Sequence, residues 1–546
     1  MLTRTHLGPL VLVASLVWPS PARAQARDAF VEGLTRLINA VDGAFGDEGP
    51  ALQAAVDAMT RGLALWDERI ARVETGFRAE VAAADPPTAA RMRATLGTVY
   101  LERGRLDDAL HQLAMAAELD PSLSQVHILR GLAYERAGRP EDAAAAYRAA
   151  WHARRDDPVA AYLVLRSEPS SAAARDALSG AVLQRAASTN PAPIAFPVAG
   201  LLDDTSVTAP VFAPAAYATA FALIQEGKYD EALTAVKAAV AADPLVTDEG
   251  LQLEEAKQAS ASMRQADWRA AARSVEAALK RSPESPQLLR LHARVLAALR
   301  VYEASASQLR QAIRLDPRDE RSRIALADVQ VAAGQPAAAI ETLRSAIRDL
   351  PDSGEAHWQL GRIAQAQGDA DAVRSFERAA EKPVVAGLAR LHAIVGQAWH
   401  AQFNLESAVA AYRRRVLLAP NDRDAHFDLA EAYRALDRLD EARAEYLAAA
   451  LLDPAGARAF GMLGQVEAAA GRDEEAVTML RRAIALDAGL LDARYALSRA
   501  LLRLGRSEEA EQELRAYEQA QAEAQEAQRR QFLENQQKID ELLKAR

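Results

Sequence analysis

One phrase closes helix after helix in this 546-residue chain. It reads AIRLDP at 312–317, AAELDP at 116–121, AIRDLP at 346–351 and AALLDP at 449–454, each an apolar stripe ended by a proline. Pro283, Pro317 and Pro351 lie 34 residues apart, as do Pro87 and Pro121, and Pro420 and Pro454. Proline lacks a backbone N–H and pushes the residue before it out of the helical region, so each one marks a stop and a restart. A fixed period of this length means one helical unit repeated and stacked, each copy burying its apolar face on its neighbours.

Other residues keep phase with the prolines. In LGTVYLERGRLDDALHQLAMAAELDP, Leu96, Gly97, Tyr100, Gly104, Ala109, Leu113, Ala116 and Pro121 hold offsets that recur as Gly131, Tyr134, Gly138, Ala143, Tyr147 and Ala150. They return as Leu429, Ala430, Tyr433, Ala442, Tyr446, Ala449 and Pro454. This pattern resembles the tetratricopeptide (TPR) repeat, a 34-residue helix-turn-helix unit. The resemblance implies an all-α TPR α-solenoid, a right-handed superhelix of helix-turn-helix repeats, here in two arms. About eleven repeats follow from the register: 90–123, 124–157, 213–246, 252–285, 286–319, 320–353, 354–388, 389–422, 423–456, 457–490 and 491–524. Small residues such as Gly97 and Gly361 are expected where the paired helices approach, and Ala109, Ala339, Ala408, Ala442 and Ala476 where the second helix receives a large side chain. Gly104, Gly138, Gly227, Gly334, Gly471 and Gly505 fall at the inter-helix turn, where a left-handed residue is needed. Arg300 occupies that turn in a degenerate repeat.

Residues 1–24 read as a secretory signal peptide: Arg4, an apolar stretch from Leu10 to Trp18, then Ala22-Arg23-Ala24 with cleavage expected before Gln25. The chain is therefore expected to be exported, periplasmic or secreted, with no integral membrane segment after cleavage. Residues 25–86 are expected to form a helical cap, 87–166 a short TPR arm and 213–524 a long one. Between them 167–212 is a proline-rich interruption, and 525–546 is a charged C-terminal helix. The sequence contains no cysteine, which excludes disulfides, thiolate ligands and a lipid-modified cysteine.

No Walker loop, H-E-x-x-H, G-x-S-x-G or G-x-G-x-x-G pattern occurs, so neither a catalytic residue nor a cofactor or metal site is expected. Net charge is −10 with both signs interspersed, and no basic run asks for nucleic acid. His127, His357, His392 and His426 share the fourth position of their repeats, a packing position about one helix layer from the next.

If the fourth, eighth and eleventh positions pack inside, the stripe one residue on is rotated by about 100° and faces the groove of the superhelix. That stripe reads Trp358, Arg362 and Gln365, then Arg390, Gln397 and His400, then Phe427, Glu431 and Arg434. Arg458, Tyr495 and Arg499 continue it. Aromatic residues interleaved with arginines suit an extended protein or peptide partner, because both types anchor interfaces. The Lys-x-x-x-Asn pair by which some TPR domains hold acidic peptide tails is missing; Ala94 and Thr98, and Ile128 and Leu132, stand there instead. The expected function is an exported, non-catalytic scaffold binding a protein or peptide in its groove. The alternative is an accessory subunit of envelope assembly or polysaccharide secretion machinery.

Overall fold

The phrase that recurs in the sequence is a pair of helix signals. In the computed structural model, which describes residues 21–41, 49–189, 191–196, 210–214 and 216–544, Pro283, Pro317 and Pro351 each follow a helix end and a capping residue stands two positions later. Ser285 accepts from the Leu288 N–H, Asp319 from Ser322, and Ser353 from Ala356, so these caps also lie 34 residues apart. A cap of this kind is worth about 1 kcal/mol and fixes where the next helix begins. Within a repeat the turn residue is left-handed. Gly334 has φ 76°, and where glycine is missing Ala266, Arg300, Phe403 and Asp437 take φ between 57° and 63°. The register is thus set by the turn rather than by the glycine.

Packing follows the expected positions. Ala109, Ala339, Ala408, Ala442 and Ala476 are fully buried. A Cβ on Gly361 would lie 2.7 Å from the Phe376 ring of the partner helix, which is why the first helix carries no side chain there. The fold is an all-α stack of helix pairs, to which the described residues add one short antiparallel ribbon of β1 (Val211–Phe212) and β2 (Val384–Ala386).

The chain divides into two compact units, one of Met1–Ala146 with Ala199–Phe403 and one of Tyr147–Val198 with Asn404–Arg546. These do not follow the two arms read from the sequence. In the first unit the helix Gly49–Ala83 contributes to two cores. Leu52, Met59, Leu63 and Trp66 share a core with residues 213–295, while Ile70 and Phe77 share one with Met92, Leu96 and Tyr100. Trp66 stacks on Tyr229 with centroids 6.0 Å apart, and Phe30 lies 5.3 Å from the same ring. Buried Arg103 joins both sets, bonding Asp67 at 3.1 Å and Asp230 at 2.8 Å. At this junction the turns of two distant repeats touch: a Cβ on Gly104 would meet the Gly227 carbonyl at 2.1 Å, so no other residue fits.

In the second unit the segment expected to be a proline-rich interruption contains the helix Ala172–Ala187, which forms a hairpin with Pro158–Ser167 at the end of the expected short arm. It packs on the helix Leu439–Leu452, whose residues from Ala442 to Leu451 are all buried. The last helix, Ser507–Lys544, extends the charged C-terminal segment back to the final repeat. Residues 1–20 of the expected signal peptide lie outside the described residues, while the helix Pro21–Val41 runs through the expected cleavage position.

Candidate protein-binding surface

Four of the residues expected in the groove meet in the second unit. Phe427, Glu431 and Arg434 project from the helix Arg423–Ala435 at spacings of four and three, which puts them on one face. Arg458, one repeat on, lays its guanidinium 4.2 Å from the Phe427 ring centroid. Phe427 is half-buried and meets Tyr446 edge-on at 5.4 Å. The Tyr446 hydroxyl donates to Glu431, and Arg434 pairs with the same carboxylate at 2.8 Å. Burial, reinforced by that carboxylate, pushes the Tyr446 hydroxyl well above its ordinary range, so it stays a donor. The Glu431 hydrogen bond likewise holds the Arg434 guanidinium charged. Arg434 and Arg458 remain exposed, leaving two cations beside a half-covered ring. Further along, Tyr495 is 46% exposed, 5.5 Å from Tyr517 and 6.0 Å from the Arg499 guanidinium.

In the first unit the expectation needs correcting at Trp358. It lies on the helix Gly354–Ala366 with Arg362 and Gln365, as the spacing requires, and both of those are exposed. But Trp358 itself is only 6% exposed. Its ring sits 5.1 Å from Phe376 below and 6.4 Å from Phe212 above. The β1–β2 ribbon, with Phe212 opposite Val384, carries that cover. A large apolar ring costs free energy in water, and the chain supplies its own lid. Trp358 therefore packs the fold and is not an open anchor. Arg362 donates to Gln359 Oε1 at 2.6 Å, and burial raises the Asp328 carboxyl above its ordinary range with Arg362 offsetting part of the rise. Arg390 and Gln397 are exposed and His400 is half-buried on the helix Leu388–Ala401.

The four fourth-position histidines are all buried, between 0% and 7% exposed. His127 Nε2 reaches the Pro121 carbonyl at 3.0 Å, and His426 Nε2 reaches that of Pro420 at 2.9 Å. His357 bonds the Pro351 carbonyl in the same way. Each of these three rings satisfies the carbonyl of the turn proline six residues back. Arg323 performs the same task for Pro317 at 2.8 Å. Among the described residues no group of three or more histidines and carboxylates is placed to hold a metal ion.

Tetratricopeptide repeat models match residues 94–158, 257–320, 427–490 and 462–527, with further matches at 301–362 and 354–376. The chain belongs to the tetratricopeptide repeat family. No curated protein matches it in sequence. Among solved structures it is similar to the C-terminal part of a TPR repeat-containing protein from Cytophaga hutchinsonii, with 16% identity and a TM-score of 0.35 over 44% of this chain and 98% of that one. It is similar to YrrB, described as a TPR protein with an unusual peptide-binding site, with 20% identity and a TM-score of 0.23 over 41% and 98%. The P58(IPK) TPR domain gives 16% identity and a TM-score of 0.20 over 77% and 99%. At such scores these likenesses assign no residue and no ligand to this chain.

A further surface of the TPR repeats is marked in the sequence by a change of charge between neighbouring second helices. The second helices of neighbouring repeats place Arg413-Arg414 and Arg481-Arg482 on their outer faces. At the same register the Leu439–Leu452 helix has Leu447-Ala448, followed by Leu451. Its outer face is apolar where its neighbours are charged, and this face is the bed of the 158–187 hairpin. Under that cover Arg443 pairs with Glu467 at 2.7 Å and Asp440 at 2.6 Å. Burial raises the Glu467 carboxyl, and Arg443 pulls it back. Arg482 is also occupied, since it donates to the Ala186 carbonyl at the end of the hairpin.

Proposed function

We propose that this TPR protein is an exported, non-catalytic scaffold that holds a protein or peptide on the first-helix face of its C-terminal repeats. TPR repeats generally mediate protein–protein interaction, and the reading rests on the Phe427 cluster. Arg458 stacked on a half-exposed ring, with Arg434 fixed beside it by Glu431, is a preorganised pair of cations around an aromatic. Aromatic and arginine side chains held in place lose little entropy on binding and are the residues that carry interface energy. Export is supported by the n-region, apolar stretch and Ala-x-Ala triplet of residues 1–24.

A displayed random-peptide library selected on the protein tests the surface. Enriched peptides should bind Arg434→Ala with Arg458→Ala roughly thirtyfold more weakly, as expected for loss of two anchors, while helicity and melting stay near wild type. Unchanged affinity in that variant, or no enrichment at all, would overturn the assignment.

A further inference from the structure

Beyond the Phe427 cluster, the second unit holds a segment of its own chain as though it were a ligand. Residues 191–196 leave the Ala172–Ala187 helix with neither helix nor strand structure. Pro191 and Ile194 are half-buried and Phe196 is 2% exposed, while Ala192, Pro193 and Ala195 face solvent. Asn421, in the turn after Pro420, takes both backbone groups of one residue: its Oδ1 accepts the Phe196 N–H at 2.6 Å and its Nδ2 donates to the Phe196 carbonyl at 3.1 Å. One side-chain amide thus does what a neighbouring strand would do. The Phe196 ring lies 4.5 Å from Tyr162 and 5.6 Å from His426. That wall is fixed independently of the segment, because His426 bonds the Pro420 carbonyl and, at 2.6 Å, Glu445 Oε2. A seat that reads backbone and one aromatic ring, and leaves the intervening side chains in water, recognises extended peptides with little demand on the rest of their sequence.

We propose that this seat is a second peptide-binding site, occupied in the free protein by residues 191–196 as an internal ligand. The partner that replaces them is an extended protein segment carrying an aromatic residue. A tethered occupant competes at millimolar effective concentration, so a free peptide gains access only when the internal anchor is weakened or the partner is held nearby.

The probe is a fluorescent, end-blocked peptide of residues 191–198, Pro-Ala-Pro-Ile-Ala-Phe-Pro-Val, added to the full chain. It should bind Phe196→Ala at least about tenfold more tightly than wild type, the internal competitor having been lost. Adding Asn421→Ala should remove that gain, and a peptide with alanine in place of its phenylalanine should not bind. If Phe196→Ala proves unfolded, Phe196→Leu keeps the apolar volume and should give intermediate binding. Failure of the peptide to bind a folded Phe196 variant, or binding indifferent to Asn421→Ala, overturns the proposal. So does a wild-type dimer abolished by Asn421→Ala, since the seat would then serve a second copy of the chain. Neither result touches the Phe427 surface, which Arg434 and Arg458 test separately.

Discussion

Trp358 shows how far a stripe argument reaches. Its helical phase was correct, and the same phase places Arg362 and Gln365 at the surface. Its exposure was not readable, because the cover comes from Phe212, nearly 150 positions away in the chain. The consequence is measurable. Trp358→Ala should cost about 3–5 kcal/mol, as for a buried aromatic left as a cavity. Arg434→Ala, at an exposed position, should stay within about 0.5 kcal/mol in the same denaturant titration. Equal effects would show that Trp358 is open. The buried histidines carry a second residue-scale prediction. Burial lowers the pKa of His127 and His357, so the folded chain holds them neutral while the unfolded chain takes up protons near pH 6.5. The unfolded state then binds more protons, and stability is complete above that pH and falls as pH drops below it. The melting temperature should decline from pH 7 to pH 5, and the decline should be shallower in His127→Gln with His357→Gln. A slope unchanged in that variant would assign the loss to other groups.

Among the elements, the Leu439–Leu452 helix differs from its sisters by its outer face. Replacing Leu447 with the arginine found at that register in its neighbours, Leu447→Arg, forces a charge beneath the 158–187 hairpin. The cost should be about 3 kcal/mol or more if the hairpin stays docked. Release is the cheaper response, so limited proteolysis should cut within 154–198 in the variant and spare it in wild type, with the repeats' helicity kept. Equal protection in both would mean that the hairpin does not depend on this face. The turn residues make the complementary point. Ala266, Arg300, Phe403 and Asp437 hold the left-handed conformation without glycine, because hydrogen bonds and packing on either side leave the turn no other path. The same reasoning explains why degenerate repeats were still readable at 252–319: period and proline survive where the signature residues do not.

For the molecule as a whole, the helix Gly49–Ala83 decides how the first unit is built. Trp66→Ala removes the ring that stacks on Tyr229, and it should cost about 3–5 kcal/mol. Because this helix belongs to two cores, amide exchange should quicken both in residues 92–133 and in 229–295. Loss confined to one set would show that the two fold independently. The sequence alone determined the helix pairs, their register and the family, since all of these rest on contacts within one repeat or between adjacent ones, where a 34-residue period imprints itself. It also placed Phe427, Glu431, Arg434 and Arg458 on a common face. Only the tertiary structure decided what was covered. Phe212 lies over Trp358, the 158–187 hairpin lies over Leu447, and Phe196 sits against Tyr162 and His426. In each case the partners are separated by far more than one repeat, with no periodicity linking them. An exposed apolar residue and one awaiting a distant cover look the same in a linear sequence, and the difference is made by the free energy gained when the chain closes over it.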